Sequence, residues 1–257
     1  MFRTVGLAAS LFILLHAAGA GADTITIRAD DWCPYTCAPN APKPGYLIDI
    51  AREVLGKAGH SVNYEVMPWT RVVSEVQGGQ IDAAAGAGHG DVPNGVFSQT
   101  SLGKNANVLT LMAERPFTYD GLASLEGLRI GVVANYSYDN GDIDAYIKDH
   151  LNKADGRVEA ISGSEVQSSN IRKLLAGRID AVLDNENVLK LAMADLKPKP
   201  PVRFVAVGTP DEVYIAFSPT NPKSAEYAKL LDAGIAEMRS NGRLAAVLAA
   251  YGLSDWR

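Results

Sequence analysis

The sequence lacks the short motifs that mark several classes of enzyme. It contains no GxxxxGK[ST] phosphate loop, no HExxH zinc motif and no GxSxG nucleophile turn. The stretch GAGHGD does not fit the dinucleotide pattern, and a match to SxxK at 101–104 has none of its companion motifs. No nucleophile with an attendant base is recognisable, so the sequence indicates no reaction. We expect no cofactor and no metal site.

The sequence also lacks basic clusters and long apolar runs. Its 257 residues have a formal net charge of −5, and the Lys and Arg residues are scattered. Nucleic acid and anionic membrane are therefore poor candidates for a partner. No segment after residue 22 is apolar over the roughly 20 residues that span a bilayer. We expect a soluble, monomeric chain.

The first 22 residues fit an export signal. Arg3 gives the positive start, residues 5–15 form a short apolar core, and Ala20-Gly21-Ala22 is an A-x-A cleavage site. A transmembrane helix is the alternative, but the apolar run is too short for one. We expect cleavage after Ala22 and a periplasmic mature chain.

Only two cysteines are present, Cys33 and Cys37 in the segment WCPYTC. In an oxidising compartment this spacing favours a small structural disulfide over a redox pair or half of a metal site, because CxxC is absent and no second Cys or His pair lies nearby. A bridge here would fix the directions of Trp32 and Tyr35.

One pattern occurs twice, about a hundred residues apart. VQGGQIDAAAGA (76–87) and LLAGRIDAVLDN (174–185) each read as a helix end, a Gly-containing stop and a strand that opens with Ile-Asp-Ala. Strands alternate with helices around both copies, which predicts two α/β lobes with mostly parallel sheets. We assign residues 23–112 and 217–257 to lobe 1 and residues 113–216 to lobe 2. The chain should cross between the lobes near 109–116 and near 213–218.

Several segments in this order resemble a known family. They are DDWCPY, GYLIDIAREVLGKAG, PWTR, both Ile-Asp-Ala corners, NYSYD, IAFSPTNPKS and LAAVLAAYGLSDW. Together they cover nearly the whole mature chain and resemble the family 3 periplasmic solute-binding proteins of ABC importers, the polar amino-acid type. The resemblance implies a type II periplasmic-binding-protein fold, a hinged clamp of two α/β lobes. It also implies capture of a small polar solute, such as an amino acid, amine or organic acid, for a membrane permease.

The residues that bind amino acids in this family are not all present. Members usually carry an Arg shortly after the first Ile-Asp-Ala strand, where it binds the α-carboxylate with two hydrogen bonds. Here that region reads GAGHGDVPNG and has no Arg. The second lobe usually places an acid where this chain has Asn185, between Asp184 and Glu186. This chain therefore departs from the family pattern at both halves of the amino-acid contact.

Loops that follow parallel strands should line the cleft between the lobes. The side chains that we expect there are Asp31, Trp32, Tyr35, Trp69, Arg71, His89, Tyr136, Tyr138, Asp184 and Asn185. Each has a structural alternative. The aromatic residues could pack in the core, with one of Tyr136 and Tyr138 doing so, and Arg71 could form a surface ion pair rather than bind an anion. His89 could be a solvent-exposed loop residue. We favour Asn185 over Asp184, and we expect Asp82 and Asp180 to brace the two Ile-Asp-Ala corners.

Two functions other than solute transport stay open. The resemblance extends to periplasmic cyclohexadienyl dehydratases, which act on prephenate or arogenate with a positioned acid and a carboxylate-binding Arg. Glu186, Asp184 and Arg71 could supply these groups. The chain could also be a soluble sensor subunit. We expect a binding protein rather than an enzyme.

Overall fold

Two five-stranded sheets, each flanked by helices, make up the computed structural model, which describes residues 21–257. The predicted export signal therefore lies almost entirely outside the described residues. The first lobe contains β1 (Thr24–Ala29), α1 (Tyr46–Lys57), β2 (Ser61–Val66), α2 (Trp69–Gly78), β3 (Ala83–Ala87), β4 (Gly103–Asn105), β10 (Asp211–Phe217), α6 (Ser224–Ser240) and α7 (Arg243–Ala250). The second lobe contains β5 (Asn107–Met112), a 3-10 helix (Leu122–Leu125), β6 (Ile130–Val133), α3 (Asp142–His150), β7 (Val158–Ile161), α4 (Val166–Leu175), β8 (Ala181–Asn185), α5 (Glu186–Ala192) and β9 (Val202–Ala206).

The two sheets have the same plan. Their strand orders are β2-β1-β3-β10-β4 and β7-β6-β8-β5-β9. In each sheet three parallel strands lie next to two strands that extend the sheet by antiparallel pairing. The predicted pair of mostly parallel α/β lobes is confirmed. No helix between residues 21 and 257 is both long and apolar enough to cross a bilayer.

The chain passes between the sheets at residue 106 and at residues 207–210, earlier than the predicted crossings near 109–116 and 213–218. Strand β5 pairs with β8 and β9 along its length, so residues 107–112 belong to the second lobe rather than the first. Strand β10 pairs with β3 and β4 along its whole length, so residues 211–217 belong to the first lobe. The sequence of an apolar strand does not indicate which of two sheets the strand joins, because either sheet can bury it.

The repeated Ile-Asp-Ala corner has a structural role in both lobes. Asp82 accepts hydrogen bonds from the Thr26 backbone N–H at 2.8 Å and from its hydroxyl at 2.7 Å. Asp180 accepts one from the Arg129 backbone N–H at 2.9 Å and forms ion pairs with Arg129 and Arg115. Each aspartate thus ties its corner to the beginning of the neighbouring strand, β1 or β6.

The core of the first lobe lies between its sheet and helices α1, α6 and α7. Helix α1 buries one apolar stripe, formed by Leu47, Ile50, Ala51, Val54 and Leu55. Helix α6 packs closely against α1 at Gly234, where a Cβ atom would lie 2.4 Å from both Cγ atoms of Val54. A side chain at this position would therefore push the two helices apart.

Candidate functional site

A small cavity lies between the two lobes, at the carboxyl ends of the parallel strands. Its volume is about 20 Å³, which is room for roughly one water molecule. Both lobes contribute to it, the first through strand-end loops and the second through the loop after β6. The lining residues are Asp30, Trp32, Trp69, Gly86, Gly88, Asp91, Asn105, Tyr136, Ser137, Asp211, Glu212 and Val213.

The disulfide loop after β1 positions one wall of the cavity. The predicted Cys33–Cys37 bridge is present, and the backbone closes the same loop through a hydrogen bond of 2.8 Å from the Trp32 N–H to the Thr36 carbonyl. The rings of Trp32 and Tyr35 stack with centroids 4.0 Å apart. Both are buried, but Trp32 alone of the two lines the cavity, and Tyr35 supports it from behind.

Trp32 also contacts the opposite lobe. Its indole Nε1 donates a hydrogen bond of 3.1 Å to Asp184 Oδ1 at the end of β8. Asp184 is 2% exposed and accepts two further hydrogen bonds, from Gln167 Nε2 at 3.2 Å and from the Asn185 backbone N–H at 2.7 Å. Burial raises the pKa of Asp184 to about 6, although these three donors act to lower it. Asp184 therefore holds the aromatic wall in place.

Asn185, which we favoured over Asp184 as a ligand residue, caps helix α5 instead. Its Oδ1 accepts the backbone N–H groups of Asn187 and Val188, as expected for an N-cap residue. Its Nδ2 donates to Tyr35 Oη at 3.1 Å and to Asn105 Oδ1 at 3.0 Å. Both the oxygen and the nitrogen of the Asn185 amide thus have hydrogen-bond partners within the protein, and the side chain links the two lobes.

Asp30 and Tyr136 form a second contact between the lobes. The Tyr136 hydroxyl donates a short hydrogen bond to Asp30 Oδ2, and both side chains line the cavity. Burial raises the pKa of Asp30 to about 7, and the hydrogen bond from Tyr136 opposes that rise. Of the tyrosine pair, Tyr138 is the core residue, because it is 1% exposed and its hydroxyl accepts the Val133 N–H.

A third group of contacts closes the opposite end of the cavity. Trp69 donates from Nε1 to the Asn135 carbonyl at 3.1 Å, and Asp91 accepts the Ser137 backbone N–H at 3.0 Å. Asn140 donates a short hydrogen bond to Asp211. Burial raises the pKa of Asp91 to about 7, against the hydrogen bonds from Gly88 and Ser137. The lobes are therefore in direct contact on both sides of the cavity.

Besides Tyr35, Tyr138, Asp184 and Asn185, three further predicted site residues do not line the cavity. The Arg71 side chain is 67% exposed and pairs with Glu75 at 2.6 Å, the arrangement that was its structural alternative. His89 packs against Phe97 and Tyr214 in tilted arrangements, with ring centroids 4.4 and 4.5 Å away. Asp31 is exposed and lies in a separate groove together with Glu165.

Asp30, Asp211 and Glu212 line the cavity but were not among the predicted residues. Asp30 stands next to the predicted Asp31, and a sequence gives no sign of which of two adjacent acids turns inward at a strand end. Asp211 and Glu212 begin strand β10 of the first lobe, whereas we had assigned them to lobe 2. Within residues 21–257, no group of three Cys, His, Asp or Glu side chains is arranged to hold a metal ion.

Comparison with known proteins identifies a matching family model and several solved structures with a similar fold. The family model of the bacterial extracellular solute-binding proteins, family 3, matches residues 25–254. No curated protein matches the chain. A histidine kinase sensor domain with similarity to periplasmic binding proteins superposes with a TM-score of 0.73 at 17% identity, covering 90% of this chain and 98% of that one.

Two further solved structures are similar. EhuB in complex with hydroxyectoine has a TM-score of 0.71 at 19% identity and covers 90% of this chain and 89% of its own. An ancestral arginine-binding protein bound to glutamine has a TM-score of 0.69 at 20% identity, covering 89% and 97%. These superpositions show that the chain shares the fold of the two-lobed periplasmic binding proteins.

Proposed function

The chain belongs to the bacterial extracellular solute-binding proteins of family 3, and from that premise we propose that it captures a small polar solute between its two lobes. The observation that carries the proposal is the cavity itself. It lies at the strand ends, where α/β proteins bind ligands, and side chains from both lobes line it. A solute there touches both lobes at once and stabilises their closed arrangement.

Entry of a solute requires the lobes to separate. The cavity has room for about one water molecule, so any larger solute must enter an opened cleft. A wider groove of about 910 Å³ shares Asp91, Tyr136 and Ser137 with the cavity and opens to solvent between α2 and α3. Two short chain crossings, at residue 106 and at residues 207–210, supply the hinge. Binding then follows a cycle of opening, entry and closure.

We further propose that the mature protein works in the periplasm as a monomer and delivers its solute to an ABC importer. The sequence-based export signal supports the location. Relatives such as the substrate-binding protein of an amino acid ABC transporter support the partner. A permease that recognises the closed shape would couple capture to transport.

The dehydratase alternative has less support. It requires an Arg that binds the substrate carboxylate, but Arg71 projects into solvent and pairs with Glu75. Glu186, the candidate acid, lies in the first turn of α5 and pairs with Lys190 at 2.5 Å. We expect no product when the protein is incubated with prephenate. Formation of an aromatic product would show an enzyme.

A thermal-shift screen tests the proposed capture. Amino acids, amines, organic acids and small sugars are added singly to the mature protein. A compound that binds the folded state alone raises the melting temperature by mass action. At a concentration of 100 times Kd the stabilisation is about 2.7 kcal/mol, which is readily measured. We expect at least one of these classes to raise the melting temperature, and no shift from any of them would contradict the proposal.

A further inference from the structure

The cavity between the lobes carries charge of one sign. Four acids line it, Asp30, Asp91, Asp211 and Glu212, and the lining contains no Lys, Arg or His from residues 21–257. A fifth acid, Asp184, lies behind Trp32. Within the same range, no salt bridge joins Asp30, Asp91 or Asp184 to a basic residue. Buried carboxylates without a cation are costly, because ionised groups lose their hydration.

Asp30 has unused capacity to accept hydrogen bonds. The residue is 8% exposed, and its Oδ2 accepts the Tyr136 hydroxyl. Its Oδ1 accepts no hydrogen bond from another residue in the part of the chain that the structure describes. Asp184, by contrast, accepts three hydrogen bonds. Asp30 is therefore the acid best placed to accept a hydrogen bond from a guest in the cavity.

Basic residues near the cavity act on Glu212 at its rim. The pKa of Glu212 is lowered, first by the hydrogen bond from Tyr214 and then, among other causes, by Arg257 and Lys104. Glu212 is exposed, so solvent already stabilises its charge. Asp30, by contrast, is only 8% exposed and forms no ion pair with a basic residue of the described part of the chain. The inner part of the cavity therefore repels a carboxylate and attracts a cation.

The remaining walls are aromatic. Trp32, Trp69 and Tyr136 all line the cavity, and the rings of Trp69 and Tyr136 lie edge to face with centroids 6.1 Å apart. Aromatic faces attract ammonium groups through their quadrupoles and pack well against carbon chains. A guest with a positive nitrogen and an apolar body matches both features.

We propose that the captured solute is an organic amine cation without a carboxylate group, an inference that rests on the proposed function. Its ammonium N–H groups donate to Asp30, and its carbon atoms lie against Trp32 and Tyr136. No Lys, Arg or His of residues 21–257 lines the cavity, so it offers no guanidinium for a two-pronged contact with a carboxylate. Organic amine cations are a narrower class of solute than the small polar solutes of the proposed function.

Matched probes test the charge of the guest. Calorimetric titrations at pH 8 use benzylamine and 1,4-diaminobutane, the neutral analogues benzyl alcohol and 1,4-butanediol, and the carboxylate-bearing compounds benzoate and glutamine. We expect at least one amine to bind at least tenfold more tightly than its alcohol and than either carboxylate-bearing compound. If neither amine binds more tightly than its alcohol, the assignment of a cation is wrong.

The Asp30→Asn variant tests the position of the guest. It keeps the shape of the side chain and removes the charge, while Asp195→Asn makes the same change at an exposed loop position. A lost hydrogen bond to a charged group corresponds to a roughly 10- to 100-fold weaker Kd. We expect that loss in Asp30→Asn and an unchanged Kd in Asp195→Asn. Equal Kd values in the two variants would overturn the role of Asp30.

A measurement on the unaltered protein avoids dependence on the fold of a variant. The cavity carboxyls take up protons as the pH falls, because burial raises the pKa of Asp30 and Asp91 to about 7 and of Asp184 to about 6. An amine cation competes with those protons. We expect its affinity to fall at least tenfold between pH 8 and pH 5, and a constant affinity overturns the proposal. Preferential binding of benzoate or glutamine also overturns it but leaves solute capture intact. Failure of the proposed function is a different result, namely no melting shift from any solute class.

Discussion

The stability of the solute-free protein should fall as the pH rises, and Asp30 should cause much of the fall. Burial raises the pKa of Asp30 from its ordinary value of 3.8 to about 7. Between these two values the folded protein holds a proton on Asp30 that the unfolded chain has lost. The free energy of unfolding therefore decreases with pH across this window, since the folded state binds more protons.

The magnitude follows from the size of the shift. A rise of about 3 pKa units at about 1.36 kcal/mol each gives a loss of about 4 kcal/mol between pH 4 and pH 8. This figure is an upper bound, because separation of the lobes would hydrate Asp30. The loss cannot exceed the free energy of that opening. A loss clearly smaller than 4 kcal/mol would therefore measure how easily the empty lobes separate.

Urea unfolding of the solute-free protein at pH values from 4 to 8 measures the effect. Asp30→Asn cannot titrate at this position, so its stability relative to the unaltered protein should increase steadily with pH. Asp195→Asn, with the same change at an exposed site, should follow the unaltered protein. The reasoning is refuted if the stability difference between Asp30→Asn and the unaltered protein does not change with pH.

Three other substitutions have definite expected results. Trp32→Phe removes the hydrogen-bond donor to Asp184 and should weaken closure of the lobes by about 1.5–3 kcal/mol. X-ray scattering should then show a larger radius of gyration. An unchanged radius would show that this hydrogen bond does not hold the lobes together. Gly234→Ala places a Cβ atom against Val54 and should lower the free energy of unfolding, measured by urea titration, by about 1–3 kcal/mol. Unchanged stability would mean that helices α1 and α6 adjust freely to the added methyl group. Arg71→Ala should leave the affinity for a bound solute within about twofold, because the Arg71 side chain lies in solvent and its exposed ion pair with Glu75 contributes only about 0–1 kcal/mol to stability. Loss of binding in calorimetry would place Arg71 at the solute.

Much of the fold could be predicted because its signals are local and repeated. The two Ile-Asp-Ala corners identified two similar lobes, and the structure gives each aspartate the same bracing contact. The buried residues of α1 recur at helical spacing, a signal contained in one short segment of sequence. The positions of the chain crossings were not predictable, because strand β5 is apolar on both faces and could have joined either sheet.

The candidate site was predictable by location but not by role. The loops after parallel strands do meet between the lobes, and Trp32, Trp69 and Tyr136 line the cavity as expected. The roles of Asp30 and Asn185 depend on contacts across 106 and 150 positions of sequence, which no local pattern contains. A charged residue such as Arg71 looks functional in a sequence, but its direction is set by the helix face on which it lies.

The distance between the lobes tests the central claim most directly. Spin labels on cysteines introduced at the exposed positions Ser74 in α2 and Lys148 in α3 would report it, and both native cysteines are already joined in the disulfide. Pulsed dipolar spectroscopy should then show a broad or two-peaked distance distribution without solute and one short distance with a saturating solute. A single distance that no bound solute alters would contradict capture by closure of the two lobes.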